Sequence, residues 1–173
     1  MQIRLAGIVK ESVVDGPGIR MVVFVQGCPH HCPGCHNENT QDLTGGYLST
    51  VDEVIAQLPS NPLVTGLTFS GGEPFLQARA LAEIGVAAKR RGFSIFTYTG
   101  FVFEQLMGQA ETDPDIAALM AVTDVLVDGP FILEQRDIGL AFRGSANQRL
   151  LDLPASILQG QPVEWHDPVW NSY

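Results

Sequence analysis

The stretch Met21-Val22-Val23-Phe24-Val25-Gln26-Gly27-Cys28-Pro29-His30-His31-Cys32-Pro33-Gly34-Cys35-His36 decides how the chain is read. Its first seven residues are a short β-branched and aromatic run, the pattern of a buried strand. Three cysteines follow with the spacing C-x3-C-x2-C, and they are the only cysteines in the 173 residues. Thiols used as core filler would scatter along a chain, so this clustering points to a metal. An odd number also excludes complete pairing as internal disulfides. Three readings of the spacing compete. A structural zinc ion needs a fourth ligand, for which His30, His31 and His36 are candidates. A zinc deaminase fails on order. Its H-x-E motif precedes P-C-x-x-C, whereas His36-Asn37-Glu38 follows the cysteines and no proline precedes Cys32. An iron–sulfur cluster is the third reading: four-iron clusters ordinarily take four thiolates, and three leave one iron open to a small molecule.

Outward from this stretch, residues 66–70, 93–99 and 122–129 read as further strands, residues 3–9 as an edge or preceding strand, and 148–153 as a last one. Helical patterns lie between them. Thr50 and Glu53 form a capping box, and Val51, Val54, Ile55 and Leu58 then fall at helical spacing, which predicts a helix over 51–58 ended by Pro59 and Pro62. Residues 78–91 carry Leu81, Ile84 and Ala88 on one face, with Lys89, Arg90 and Arg91 in the last turn and Gly92 as the stop. Asp113-Pro114 opens another helix, with Asp as N-cap and Pro at the first helical position.

Alternating strands and helices predict an α/β fold with parallel pairing, whose chemistry gathers at the C-terminal strand ends. The unusual loops obey that rule. The cysteine loop, Ser70-Gly71-Gly72-Glu73-Pro74, Thr99-Gly100 and Asp128-Gly129-Pro130 each follow a predicted strand directly, which implies one composite site. Residues 1–153 are read as a single domain. In the remaining tail, 154–173, no helix or strand pattern persists. Pro154, Pro162 and Pro168 with Trp165, Trp170 and Tyr173 suit either cover for the open side of the sheet or a docking segment.

Composition narrows the function. Lys and Arg number 10 against 19 Asp and Glu, a formal charge of −9, with 45% hydrophobic and 17% charged residues. That is a globular composition. It argues against gripping nucleic acid phosphates, which needs a basic face, and against a polybasic membrane anchor. No apolar run reaches the roughly 18 residues of a membrane span. The opening MQIRLAGIVKESVVDG has no signal-peptide core, so the expected compartment is the cytoplasm.

C-x3-C-x2-C followed at a later strand end by Gly71-Gly72-Glu73 resembles the radical S-adenosylmethionine (SAM) superfamily. Val14-Asp15-Gly16-Pro17-Gly18-Ile19-Arg20 looks like the start of the activating enzymes of glycyl-radical proteins. Val127-Asp128-Gly129-Pro130-Phe131 and Phe142-Arg143-Gly144-Ser145-Ala146-Asn147-Gln148-Arg149 look most like those that serve anaerobic ribonucleoside-triphosphate reductases. The resemblance spans about residues 11–153. It implies an incomplete, TIM-like β/α barrel of mostly parallel strands with an open side.

It further implies that Cys28, Cys32 and Cys35 hold a 4Fe–4S cluster whose open iron chelates the amino and carboxylate groups of SAM. Reductive cleavage then gives a 5′-deoxyadenosyl radical that removes a glycine Cα hydrogen from the partner, expected to be an anaerobic ribonucleotide reductase. A flavodoxin or ferredoxin is the implied reductant. The resemblance places Gly34 where many members carry an aromatic residue, with His36 as the nearby ring. It gives Gly71 and Gly72 close approach to the methionyl group, Glu73 its amino group, and Thr99 and Asp128 the same cavity. Thr97 stands where related activases carry an acidic residue. Arg143 and Arg149 are candidates for the SAM carboxylate or for surface ion pairs. Three alternatives remain: activation of another glycyl-radical enzyme, a small-molecule radical SAM enzyme of the deazapurine-forming type, or a zinc-stabilised binding protein without catalysis.

Overall fold

A computed structural model describes residues 1–166. Seven strands form one open mixed sheet: β1 (Gln2–Ser12), β2 (Ile19–Val25), β3 (Tyr47–Thr50), β4 (Val64–Gly71), β5 (Ser94–Tyr98), β6 (Val125–Asp128) and β7 (Arg149–Asp152), in the order β3-β1-β2-β4-β5-β6-β7. The four central strands β2, β4, β5 and β6 are parallel, as the alternating pattern requires. Antiparallel pairs flank them: β1 with β2 and β3 on one side, β7 with β6 on the other. The pairing is therefore mixed. The segment read as an edge or preceding strand lies one place inside, because β3 covers it.

Side chains alternate along these strands and sort into two layers. Met21, Val23, Val25, Leu67, Phe69, Ile95 and Leu126 face the helices and build the main core with Leu81, Ile84, Leu106 and Leu119. The other face carries Phe96, Val125 and Val127, packed by Tyr98, Phe142, Leu150 and Trp165. Arg20 lies buried on this second face and, among the described residues, has no carboxylate partner. It donates to Thr68 Oγ1, Pro17 O, Leu67 O and both oxygens of Ser94, and sits 4.9 Å over the Phe96 ring. Gly66 makes the room, since a Cβ there would lie 2.1 Å from Arg20 Nη1.

The helices are α1 (Val51–Ala56), α2 (Ala78–Arg90), α3 (Phe103–Ala110), α4 (Pro114–Val122) and α5 (Leu153–Gln159). The capping box at Thr50 and Glu53 and the Asp113 cap are present as expected. Gly92, at φ +82°, follows the last turn of α2. Two helices lie where none was expected. For α3, the distant Asp128 supplies the capping oxygen, accepting from Phe103 N–H at 2.7 Å. For α5, Asp152 caps and Gly160 ends the helix in the left-handed region, so a helix occupies the start of what was read as patternless tail. Beyond it, Trp165 stands edge-on to Phe96 and donates its backbone N–H to Leu150 O. Pro168, Trp170 and Tyr173 lie outside the described residues. Among those residues, no helix is long and apolar enough to cross a membrane.

Candidate functional site

The parallel strands end at one edge, and their loops meet there around an open cavity of about 140 Å³. All three cysteines line it, and all are free thiols of intermediate exposure. Their loop leaves β2 by two backbone bonds, Gly27 N–H to Thr40 O at 2.7 Å and Cys28 N–H to Gln41 O at 3.2 Å. It then turns sharply. Cys35 N–H reaches Cys32 O at 3.2 Å, and His31 and Gly34 both take positive φ, at 47° and 73°. Burial pushes the Cys28 thiol pKa up. The backbone N–H of His30 opposes that shift, while the charges of Glu73, Cys32 and Cys35 reinforce it.

The wall opposite comes from the ends of β4, β5 and β6. Gly71, Gly72, Thr99, Gly100 and Gly129 line the cavity together with His30, His36 and Tyr98. The two glycines also let β4 run close against β2. A Cβ on Gly71 would lie 2.6 Å from Val25 N and one on Gly72 2.2 Å from Gly27 O, and Gly72 N–H bonds Val25 O at 2.7 Å.

Glu73 does not line the cavity. It is buried behind the wall, and both its oxygens are taken. Oε1 accepts from Thr99 Oγ1 at 2.9 Å and Phe75 N–H at 3.0 Å. Oε2 accepts from Gly100 N–H at 2.9 Å and pairs with His30 Nε2 at 2.7 Å. With its own N–H on Gly27 O, this residue ties the ends of β2, β4 and β5 together. Asp128 is likewise withdrawn. It is fully buried and accepts from Arg149 as well as from the first turn of α3. Gly34 turns away from the cavity, and a Cβ there would meet Leu133 at 2.9 Å.

Of the residues expected to contact cofactor, then, Cys28, Cys32, Cys35, His36, Gly71, Gly72 and Thr99 share one cavity, whereas Gly34 is exposed outside its lining and Glu73 and Asp128 are buried behind it. Arg149 is committed to Asp128 and Glu104, and Arg143 donates to Gln148 O. Thr97 is buried on the helix side against Thr123. The segment 143–149 folds back on the end of β6. There Gln148 Nε2 donates to Gly129 O and Asn147 Nδ2 to Pro130 O, which carries Gly144 and Gln148 to the cavity rim. Sequence reading missed Tyr98 and Gln148 as lining residues, and offered His30 only as a candidate zinc ligand. For His30 the one available signal was its place between two cysteines.

Three thiols lining one cavity suit a cluster, whose irons are separate points. Among the described residues, no group of three or more His, Cys, Asp or Glu converges on a single ion. Residues 14–151 match the family described as a 4Fe-4S single cluster domain. The chain belongs to the 4Fe-4S single cluster domain family. Within the matched span of this 4Fe-4S domain lie the cysteine loop, the Gly-Gly-Glu turn and the 143–149 segment. The "anaerobic ribonucleoside-triphosphate reductase-activating protein" of Vibrio cholerae is 40% identical over 145 residues, covering 79% of this chain and 90% of that protein. The Escherichia coli protein of the same name is 35% identical over 149 residues, with the same coverage. The "pyruvate formate-lyase 1-activating enzyme" of Escherichia coli is 38% identical over 122 residues, covering 67% of this chain and 47% of that enzyme.

Proposed function

We propose that this protein is a radical SAM activase that installs a glycyl radical on a large partner enzyme, an anaerobic ribonucleoside-triphosphate reductase. The observation that carries the reading is the shared cavity, in which Cys28, Cys32 and Cys35 face the Gly71-Gly72 turn across an open space. The cofactors are a 4Fe–4S cluster held by the three thiolates and SAM at the remaining iron. When bound, they supply an electron to the sulfonium and a 5′-deoxyadenosyl radical for hydrogen abstraction.

The chain's own residues hold, orient and admit. Gly71 and Gly72 present backbone without side chains, Thr99 offers a hydroxyl, and His36 brings a planar ring beside Cys35. Glu73 and Asp128 act from behind the wall, where they fix the strand ends. The helices cover one face of an open mixed sheet, which supports reading the fold as an incomplete barrel, and Trp165 on Phe96 supports reading the described part of the tail as cover for its open side. An open cavity suits a substrate that is a peptide loop of another protein. A flavodoxin or ferredoxin is the reductant, and the compartment is the cytoplasm.

Anaerobic reconstitution with iron and sulfide, followed by SAM and a strong reductant, tests this. Wild type is expected to yield 5′-deoxyadenosine by mass spectrometry, and Cys32→Ala to yield none. Adding the reductase partner should then give the electron paramagnetic resonance signal of a glycyl radical. One zinc and no sulfide by elemental analysis would overturn the reading.

A further inference from the structure

His30 stands between Cys28 and Cys32 and is held on several sides. Its Nε2 lies 2.7 Å from Oε2 of Glu73, whose side chain is 1% exposed. A carboxylate only accepts, so Nε2 carries the hydrogen and donates it. The ring stands edge-on to Phe101, centroids 4.6 Å apart at 76°. Gly100 makes the seat, since a Cβ there would lie 2.3 Å from His30 Cδ2. The rest of the loop has little else to hold it. Among the described residues, only His30 and His31 carry hydrogen bonds from residues 29–35 to the remainder of the chain. The His31 bond, to Gln41, is exposed and 3.2 Å long. Glu73, in contrast, is a rigid anchor, fixed by donors from Thr99, Phe75 and Gly100.

We propose that His30 is a positioning residue that latches the cysteine loop to Glu73 and so fixes where the Cys28 and Cys32 thiols stand. The proposal rests on the reading of the three cysteines as cluster ligands. It also gives the buried Glu73 carboxylate a partner in the ligand loop. Groups behind metal ligands of this kind hold the ligand geometry, and losing one typically weakens retention of the metal about 10- to 100-fold.

The test compares reconstituted wild type with His30→Leu, His30→Gln and Gly100→Ala. It reads the rate of iron release to a ferrous chelator and the electron paramagnetic resonance line shape of the reduced cluster. His30→Leu is expected to release iron at least about tenfold faster, with an altered line shape. His30→Gln, whose amide reaches Glu73, should restore both. Gly100→Ala should behave like His30→Leu, because its methyl displaces the imidazole without changing its chemistry. Wild-type release by both His30→Leu and Gly100→Ala would overturn the latch, as would a His30→Gln variant no better than leucine. Circular dichroism of the same samples checks the fold. Should the leucine variant lose it, the contrast between His30→Gln and Gly100→Ala decides in the same way. Failure of wild type to take up iron and sulfide is a separate outcome that removes the cluster reading and the latch with it.

Discussion

Glu73→Gln keeps the volume of the side chain and tests whether the carboxylate belongs to the protein or to a ligand. Four donors converge on its two oxygens, two on each. An amide has one oxygen, so whichever way it turns, its NH2 meets two donors. On the Oε1 side the Thr99 hydroxyl can rotate, although its oxygen already accepts from Phe101 N–H at 3.1 Å. The backbone N–H of Phe75 cannot rotate, nor can that of Gly100 on the other side. At least one buried N–H therefore loses its partner, which costs about 1–3 kcal/mol, and the surviving bonds lose their charge assistance. The expected loss is about 3 kcal/mol in total. Urea unfolding of cluster-free wild type and variant, followed by far-ultraviolet circular dichroism, reads it directly. A loss below about 1 kcal/mol would refute the reasoning. It would mean that the carboxylate is not held internally and is free to receive the amino group of a cofactor.

Arg149→Leu strips the buried Asp128 of its ion pair and leaves only the α3 N–H as donor. Half of the pair is solvent-exposed, so the expected loss is about 2 kcal/mol by urea unfolding, and Asp128→Asn in the same background should recover part of it. Tyr98 donates to Phe142 O at 2.8 Å, and burial raises its pKa well above the ordinary range, with Asp15 adding to the rise and Arg20 opposing it. The folded state thus keeps a proton that the unfolded chain gives up near pH 10, so this stability is complete below about pH 10 and is lost as the pH rises further. Wild type should lose stability relative to Tyr98→Phe between about pH 10 and 12, and parallel curves would contradict the shift. Gly66→Ala drives a methyl into the Arg20 guanidinium and is expected to cost about 2–3 kcal/mol, measured by the same unfolding assay.

The parallel core and its active edge were legible because both rest on local signals. Apolar β-branched runs gave β2, β4, β5 and β6, and each run ended in a loop with chemical content. Elements whose stabilising partner is remote were not legible. α3 has no acceptor side chain at its N-cap, Val102, and Asp128 caps its first turn from 25 residues away. β3 is a mostly exposed edge strand without apolar alternation, visible only once β1 is there to pair with it. α5 is a different case. Its signals, Asp152 as cap, Pro154 in the first turn and Gly160 at the end, stand in the sequence, but a strand drawn through residue 153 hid them. Arg20 is a cation within a strand and is buried because Gly66 and Thr68, on the neighbouring strand, leave a space its own length.

Glu73 and Asp128 show why carboxylates at strand ends mislead. Each follows a parallel strand, where ligands gather, and each reads as a group waiting for a cofactor. The same edge is also where the following helical segments begin, and a helix start presents N–H groups with no partner in the helix. A buried carboxylate there has two possible claimants, a ligand or the first turn of its own chain. In this fold the chain takes both. Phe75 N–H, at the start of the 3₁₀ turn 74–77, claims Glu73, and Phe103 N–H claims Asp128. Each carboxylate then recruits a cation or imidazole, Arg149 for Asp128 and His30 for Glu73. The acidic groups thus become the fasteners of the strand ends. The cavity is left lined by thiols, glycine backbone, hydroxyls, amides, and aromatic and histidine rings. A fold that fastens its strand ends with these carboxylates keeps their oxygens off the cavity surface, where the thiols and glycine backbone stand.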